Sequence, residues 1–168
     1  MRPRGPFIAV IGDRDPPVET CQLAEEVGRR LAEAGAVVVC GGLGGVMEAA
    51  CRGAKLAGGL TVGILPGEDP TAANPYVDVP VVTGLGTARN ALVVKTAGAV
   101  IAIAGGFGTL SEIAYALNHE IPVIGLDTWQ IRAGCAPADP IVRAGSPAEA
   151  VEQALARRVS RPRPTSRE

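Results

Sequence analysis

With 168 residues, 47% of them hydrophobic but only 3% aromatic, the chain is long enough to bury one core and must build it from Val, Ile, Leu and Ala. A net charge of −1 supplies no basic field, which argues against nonspecific binding to nucleic acid or a membrane surface, and no apolar run reaches membrane-spanning length. Cys21, Cys40, Cys51 and Cys135 show no CxxC or Cys/His spacing, so no metal site is expected and the first three read as small core residues in a reducing compartment.

Phe7–Ile11 is an apolar run ending at Gly12, the pattern of a buried first strand. It is too short for a signal peptide, so the expected location is the cytoplasm. Pro16 and Pro17 introduce a helix with the apolar stripe Leu23, Ala24, Val27, Leu31 and Ala34, stopped by Gly35. Val37–Cys40 is a second strand. It leads into Gly41–Ala50, GGLGGVMEAA, a glycine-rich turn into a helix that carries Val46, Ala49, Ala50 and Ala54 and ends near Gly58 and Gly59. Thr61–Leu65 is a third strand. The proline-rich connection Pro66–Asp78 has little periodicity and is either a flap over a ligand or a plain surface loop.

Val79–Val82 is a fourth strand, followed by Thr83–Asn90, TGLGTARN, and a helix from Thr87 to Ala97. Val100–Ala104 is a fifth strand. The helix after it buries Leu110, Ile113, Ala114 and Leu117, which leaves Glu112 on the first turn facing away from the sheet. Pro122–Leu126 is a sixth strand and Pro140–Val142 a candidate seventh. Ser146-Pro147-Ala148-Glu149 joins a capping Ser, Pro at the first helical position and Glu three residues after the cap, and starts a helix to about Arg158. Residues 1–158 read as one domain and 159–168 as a flexible, solvated tail.

Strands alternating with helices imply an α/β, Rossmann-like, doubly wound and mainly parallel sheet of six or seven strands, with helices on both faces. Ligands of such sheets bind beyond the carboxyl ends of the strands, where strand order reverses. Ala104–Glu112, AGGFGTLSE, lies at such an end. A sharp turn into a helix leaves the first N–H groups unpaired at the positive end of the helix dipole, and Gly105, Gly106 and Gly108 let a phosphate approach without a Cβ in the way. Thr109-x-x-Glu112 is also the spacing of a capping box, so a capped turn competes with a ligand site. The other cluster, Gly41, Gly42, Gly44 and Gly45, shifts the balance: with Gly12, it offers a second anion-tolerant turn on the same edge. Together they argue for one ligand carrying a phosphate.

The dinucleotide fingerprint is absent. The first strand ends in Gly12-Asp13-Arg14, Ser111 stands where the last glycine after Gly106-x-Gly108 should fall, and the second strand closes on Cys40 rather than an acidic residue. No GK[ST] follows either cluster, which excludes a P-loop.

The ordered set CGGLGGVMEAA, GLGTARN and AGGFGTLSE resembles the SLOG Rossmann-like superfamily of the LOG (lonely guy) nucleoside 5'-monophosphate phosphoribohydrolases, whose hallmark is PGGxGTxxE. It is still more similar to the bacterial branch related to the molybdenum cofactor carrier proteins. The likeness runs from Phe7 to Trp129. It implies Arg89 and Glu112 as a catalytic pair and Gly105, Gly106, Gly108 and Thr109 as a phosphate turn. Ala104 replaces the motif's proline, Asn90 replaces the lysine that usually follows the arginine, and Glu48 stands where LOG proteins have glycine.

Two functions follow from the resemblance. One is hydrolysis of the N-glycosidic bond of a nucleoside 5'-monophosphate, which requires no cofactor. The other is non-catalytic carriage of molybdenum cofactor, with molybdopterin as the bound ligand. The partner in either case is a small phosphorylated ligand, and because LOG sites are built across a dimer interface, a homodimer or higher homo-oligomer is implied. The label lysine decarboxylase, often attached to such proteins, fails on chemistry. Pyridoxal phosphate needs a Schiff-base lysine, and Lys55 and Lys95 both lie late in their helices.

Overall fold

The computed structural model describes residues 5–132 and 139–159. Among these, seven strands form one sheet: β1 (Phe7–Gly12), β2 (Val37–Cys40), β3 (Thr61–Leu65), β4 (Val79–Val82), β5 (Ala99–Ile103), β6 (Val123–Leu126) and β7 (Val142–Arg143). Every pairing is parallel, in the order β4-β3-β2-β1-β5-β6-β7. Five helices connect them: α1 (Val18–Glu33), α2 (Val46–Leu56), α3 (Asn90–Thr96), α4 (Phe107–Asn118) and α5 (Pro147–Arg157). The chain winds outward from β1 in one direction as far as β4 and then returns to β5 on its other side. The strand order therefore reverses between β1 and β5.

The apolar runs are explained by burial on both faces. Along β1, Ile8 and Val10 join the core beneath α1, α2 and α5, while Ala9 and Ile11 join the one beneath α3 and α4. Such a strand needs no polar alternation. On the first face α1 and α2 touch backbone to backbone through glycines. A Cβ on Gly28 would lie 1.9 Å from the Ala50 carbonyl oxygen, and one on Gly53 would lie 1.9 Å from that of Glu25. Gly28→Ala is accordingly expected to cost about 1–3 kcal/mol by overpacking, read as a lower denaturant midpoint at unchanged m. An unchanged midpoint would show that the helices separate at no cost. No helix among the described residues is long and apolar enough to cross a membrane.

Several local expectations change. Between β4 and β5 the single expected helix is divided into a 3-10 turn over Gly86–Arg89 and then α3, with Gly84 and Gly86 held at positive φ ahead of it. The connection Pro66–Asp78 does not form a flap over the cleft described below. Asn74 donates from its backbone N–H to the Gly42 carbonyl (2.9 Å) and from its side chain to that of Leu43 (2.9 Å), which ties the connection to the first glycine turn. Asp78 anchors its far end, accepting from the Thr61 N–H (3.0 Å) and Lys55 Nζ (2.6 Å).

The capping box at Thr109 does not form. Helix α4 begins at Phe107 with Gly106 as its N-cap, so Thr109 and Glu112 are interior helical residues and both are buried. Glu112 thus lies buried in the second turn rather than on the first turn facing away from the sheet. By contrast α5 starts as expected, with Ser146 accepting from the Glu149 N–H. The last strand is Val142–Arg143 rather than Pro140–Val142. Cys40 and Cys51 are fully buried, with Sγ atoms 3.4 Å apart, and Cys21 is half-buried. Cys135 and the tail from Ser160 lie outside the described residues.

Candidate functional site

A cleft of about 370 Å³ opens beyond the carboxyl ends of β1, β2 and β5, beside the reversal of strand order. Of the residues singled out in the sequence, Gly12, Gly41, Arg89, Asn90, Gly106, Gly108, Thr109 and Glu112 line it. Gly42, Gly44, Gly45 and Gly105 shape the turns without lining it. Gly41 has a steric reason, since a Cβ there would meet Arg89 Nη2 at 2.6 Å and Met47 Sδ at 2.7 Å. Gly105 adopts φ +113° with Thr109 packed against it, a conformation closed to residues with a Cβ.

The two glycine turns are not equivalent. At the amino end of α2 the Val46 N–H already donates to the Asp13 carbonyl (2.9 Å), and Gly45 lies under the carbonyls of Asp13 and Arg14. The loop after β1 covers that helix end. Helix α4 is open. Its first internal bond is from Leu110 N–H to the Gly106 carbonyl (3.0 Å), which leaves the N–H groups of Phe107, Gly108 and Thr109 without an acceptor inside the helix. They stand at the positive end of its dipole and at the cleft wall.

Arg89 and Glu112 meet inside this wall, only 8% and 6% exposed. Arg89 Nη1 is 3.8 Å from Glu112 Oε1 and donates to the Asn90 side-chain oxygen, while Asn90 Nδ2 donates to Ser111 Oγ (3.1 Å) and so joins α3 to α4. Arg89 Nε is buried with no hydrogen-bond partner among the described residues. Burial pushes the Glu112 carboxyl up to about 7 against the opposing pull of the Arg89 charge. Burial also lowers Arg89, against the charges of Glu112 and Cys40. Both shifts favour the neutral forms, so desolvation outweighs the pair's attraction. The result is a buried cation short of acceptors beside a carboxyl that is only partly ionised near neutral pH.

Among the residues that sequence reasoning missed here, Arg14, Leu43, Met47 and Thr87 also line the cleft, and three more stand out. Asp13 lines the cleft, with Oδ1 3.1 Å from where a Gly106 Cβ would lie. Its position after the central strand was the available signal. Phe107 lines the cleft mouth, and its ring sits 5.7 Å from that of Trp129. Trp129 Nε1 in turn donates to the Gly106 carbonyl (3.2 Å). Only tertiary packing brings Trp129 to this turn.

Comparison with known proteins fits this architecture. An uncharacterized protein of Archaeoglobus fulgidus is 47% identical over 119 residues, 71% of this chain and 78% of its own. The solved molybdenum cofactor binding protein of Rippkaea orientalis superposes with a TM-score of 0.80 at 36% identity, covering 89% of this chain and 95% of that one. The Moco carrier protein of Chlamydomonas reinhardtii does so with a TM-score of 0.79 at 36% identity, covering 91% and 99%. A cytokinin riboside 5'-monophosphate phosphoribohydrolase of Mycobacterium tuberculosis is 33% identical over 121 residues, 66% of this chain and 64% of the enzyme. The sequence profile of the SLOG cluster4 family matches residues 6–154, a span that takes in all seven strands and both glycine turns. The chain belongs to the SLOG cluster4 family.

Proposed function

We propose that this chain binds a phosphorylated pterin of the molybdenum cofactor type and holds it without turnover. The observation that carries the reading is Arg89, a buried guanidinium with an unpartnered Nε and a loose counter-ion, beside the open amino end of α4. A phosphate seated there would accept from the amides of Phe107, Gly108 and Thr109 and complete the neutralisation of Arg89. Charge-assisted bonds of this kind are about twice as strong as neutral ones. The pterin is favoured over other phosphate esters because two solved relatives that bind or carry molybdenum cofactor match this chain over nearly their whole lengths.

One observation favours a second reading, hydrolysis of a nucleoside monophosphate. Glu112 and Arg89 share the cleft wall, as that chemistry requires, and one relative is a phosphoribohydrolase. In such a reaction the bond between the anomeric carbon and the base nitrogen breaks, water supplies hydroxide to the carbon, and the base takes the proton. Glu112 would act as the carboxylate that activates water and stabilises the oxocarbenium-like transition state.

The test pairs calorimetric titration with a phosphorylated pterin against an assay for ribose 5-phosphate released from a panel of nucleoside monophosphates. Saturable pterin binding with no release is the expected outcome. Release that disappears in Glu112→Gln would replace the carrier with the hydrolase, and failure to bind any phosphorylated pterin would remove the carrier reading.

A further inference from the structure

We infer that Phe107, seated against Trp129, is the platform on which the flat ring of the ligand stacks. The inference rests on the proposed binding of a phosphorylated heterocycle and adds where its ring lies. Phe107 is 82% exposed, more than any other large apolar side chain among the described residues. An aromatic ring left in water forgoes the burial that normally repays its size. The chain has only two Phe, two Tyr and one Trp, yet two of these five rings meet at the mouth of this cleft, their planes tilted by 37°.

The placement matches a phosphate ester that carries a ring. Phe107 is the first residue of α4, so its ring rises from the same backbone that presents the open amides, next to the buried Arg89 with its unpartnered Nε. A phosphate at those amides would hold a short ester's ring within reach of Phe107. The platform is also fixed in advance. Trp129 is bound through Nε1 to the Gly106 carbonyl, one residue before Phe107, and its own carbonyl accepts from Arg143 Nη2. A side chain already held in place loses little entropy when a ligand arrives. Stacking tolerates any flat ring, so the class recognised is a planar heteroaromatic phosphate ester, pterin or purine, rather than a sugar phosphate.

Trp129 is the only tryptophan of the chain and reports on this spot directly. Wild type and Phe107→Ala are titrated with a phosphorylated pterin and, separately, with ribose 5-phosphate, by tryptophan fluorescence and by calorimetry. Expected results are a change in Trp129 emission with the pterin alone and, in Phe107→Ala, a fall on the order of tenfold in the preference for the pterin over the ringless ester. Phe107→Tyr restores that preference.

Three outcomes overturn the platform while the binding reading stands: wild-type pterin affinity in Phe107→Ala, an equal loss for both ligands, or a change confined to oligomeric state by sedimentation. A wild-type protein that binds neither ester removes the reading and the platform together.

Discussion

Arg89→Ala is expected to weaken binding of a phosphorylated pterin by roughly 30-fold or more, the range found when one partner of a buried, hydrogen-bonded charge pair is truncated. The loss has two sources. The phosphate forfeits a charge-assisted partner, and the remaining wall offers it no cation in that place, while above neutral pH an ionised Glu112 would add repulsion. The fold should survive, because a Glu112 deprived of Arg89 becomes a still weaker acid and remains neutral near pH 7. Arg89→Lys should recover only part of the affinity, since an ammonium keeps the charge but not the planar fork. Calorimetry alongside a thermal melt separates binding from folding. A folded Arg89→Ala protein with undiminished affinity would mean that the phosphate is held by the α4 amides alone.

Glu112→Gln should remove a large part of the chain's pH dependence of stability. In the folded protein burial holds the Glu112 carboxyl up to about 7, whereas in the unfolded chain it titrates at the ordinary 4.5. Between those values the native state binds the extra proton. The stabilisation is therefore complete below about pH 4.5 and is lost as pH rises through 7. At 1.36 kcal/mol per unit the interval is worth about 3 kcal/mol, or a fall of roughly 10 °C in melting temperature for a domain of this size. Glu112 is 6% exposed, so solvent screening takes little from that figure. Melts of wild type between pH 5 and 8 should decline by that order, and those of Glu112→Gln should be nearly flat. Parallel curves for the two proteins would show that the carboxyl is ionised in the native state throughout.

The order of strands and helices was legible because the central strands are short apolar runs with glycine or proline beside them, because α1 carries a clear stripe and stop, and because α5 carries a clear start. The start of α4 was not. Thr109 and Glu112 have the spacing of a cap and its partner, yet the helix begins three residues earlier because Gly106 can serve as the cap while Thr109 is needed against Gly105. Glu112 shows the limit of a stripe argument. The expected stripe was one position off: Ala114 is exposed, and the buried face of α4 runs through Thr109, Glu112, Ile113 and Ala116, so Glu112 lies on it, beside Arg89. Arg89 and the second glycine turn were visible as motifs. That the first turn is covered by Asp13, and that Trp129 buttresses Phe107, depends on segments that only the folded sheet brings together.

The position of β1 has a consequence for how the molecule comes into being. Its neighbour β2 follows within one helical crossover, but the strand on its other side, β5, arrives only after β2, β3 and β4 have been laid down. Closing so distant a pairing is the slow kind of step in folding. Until it happens, the unpaired edge of the central strand is available to any other chain that can add to it. The cleft has one wall from each half of the sequence, so it has no partly assembled form. A nascent chain that has emerged only as far as β4 has neither a finished core nor a place for the ligand, and both wait for β5 and the elements that follow it.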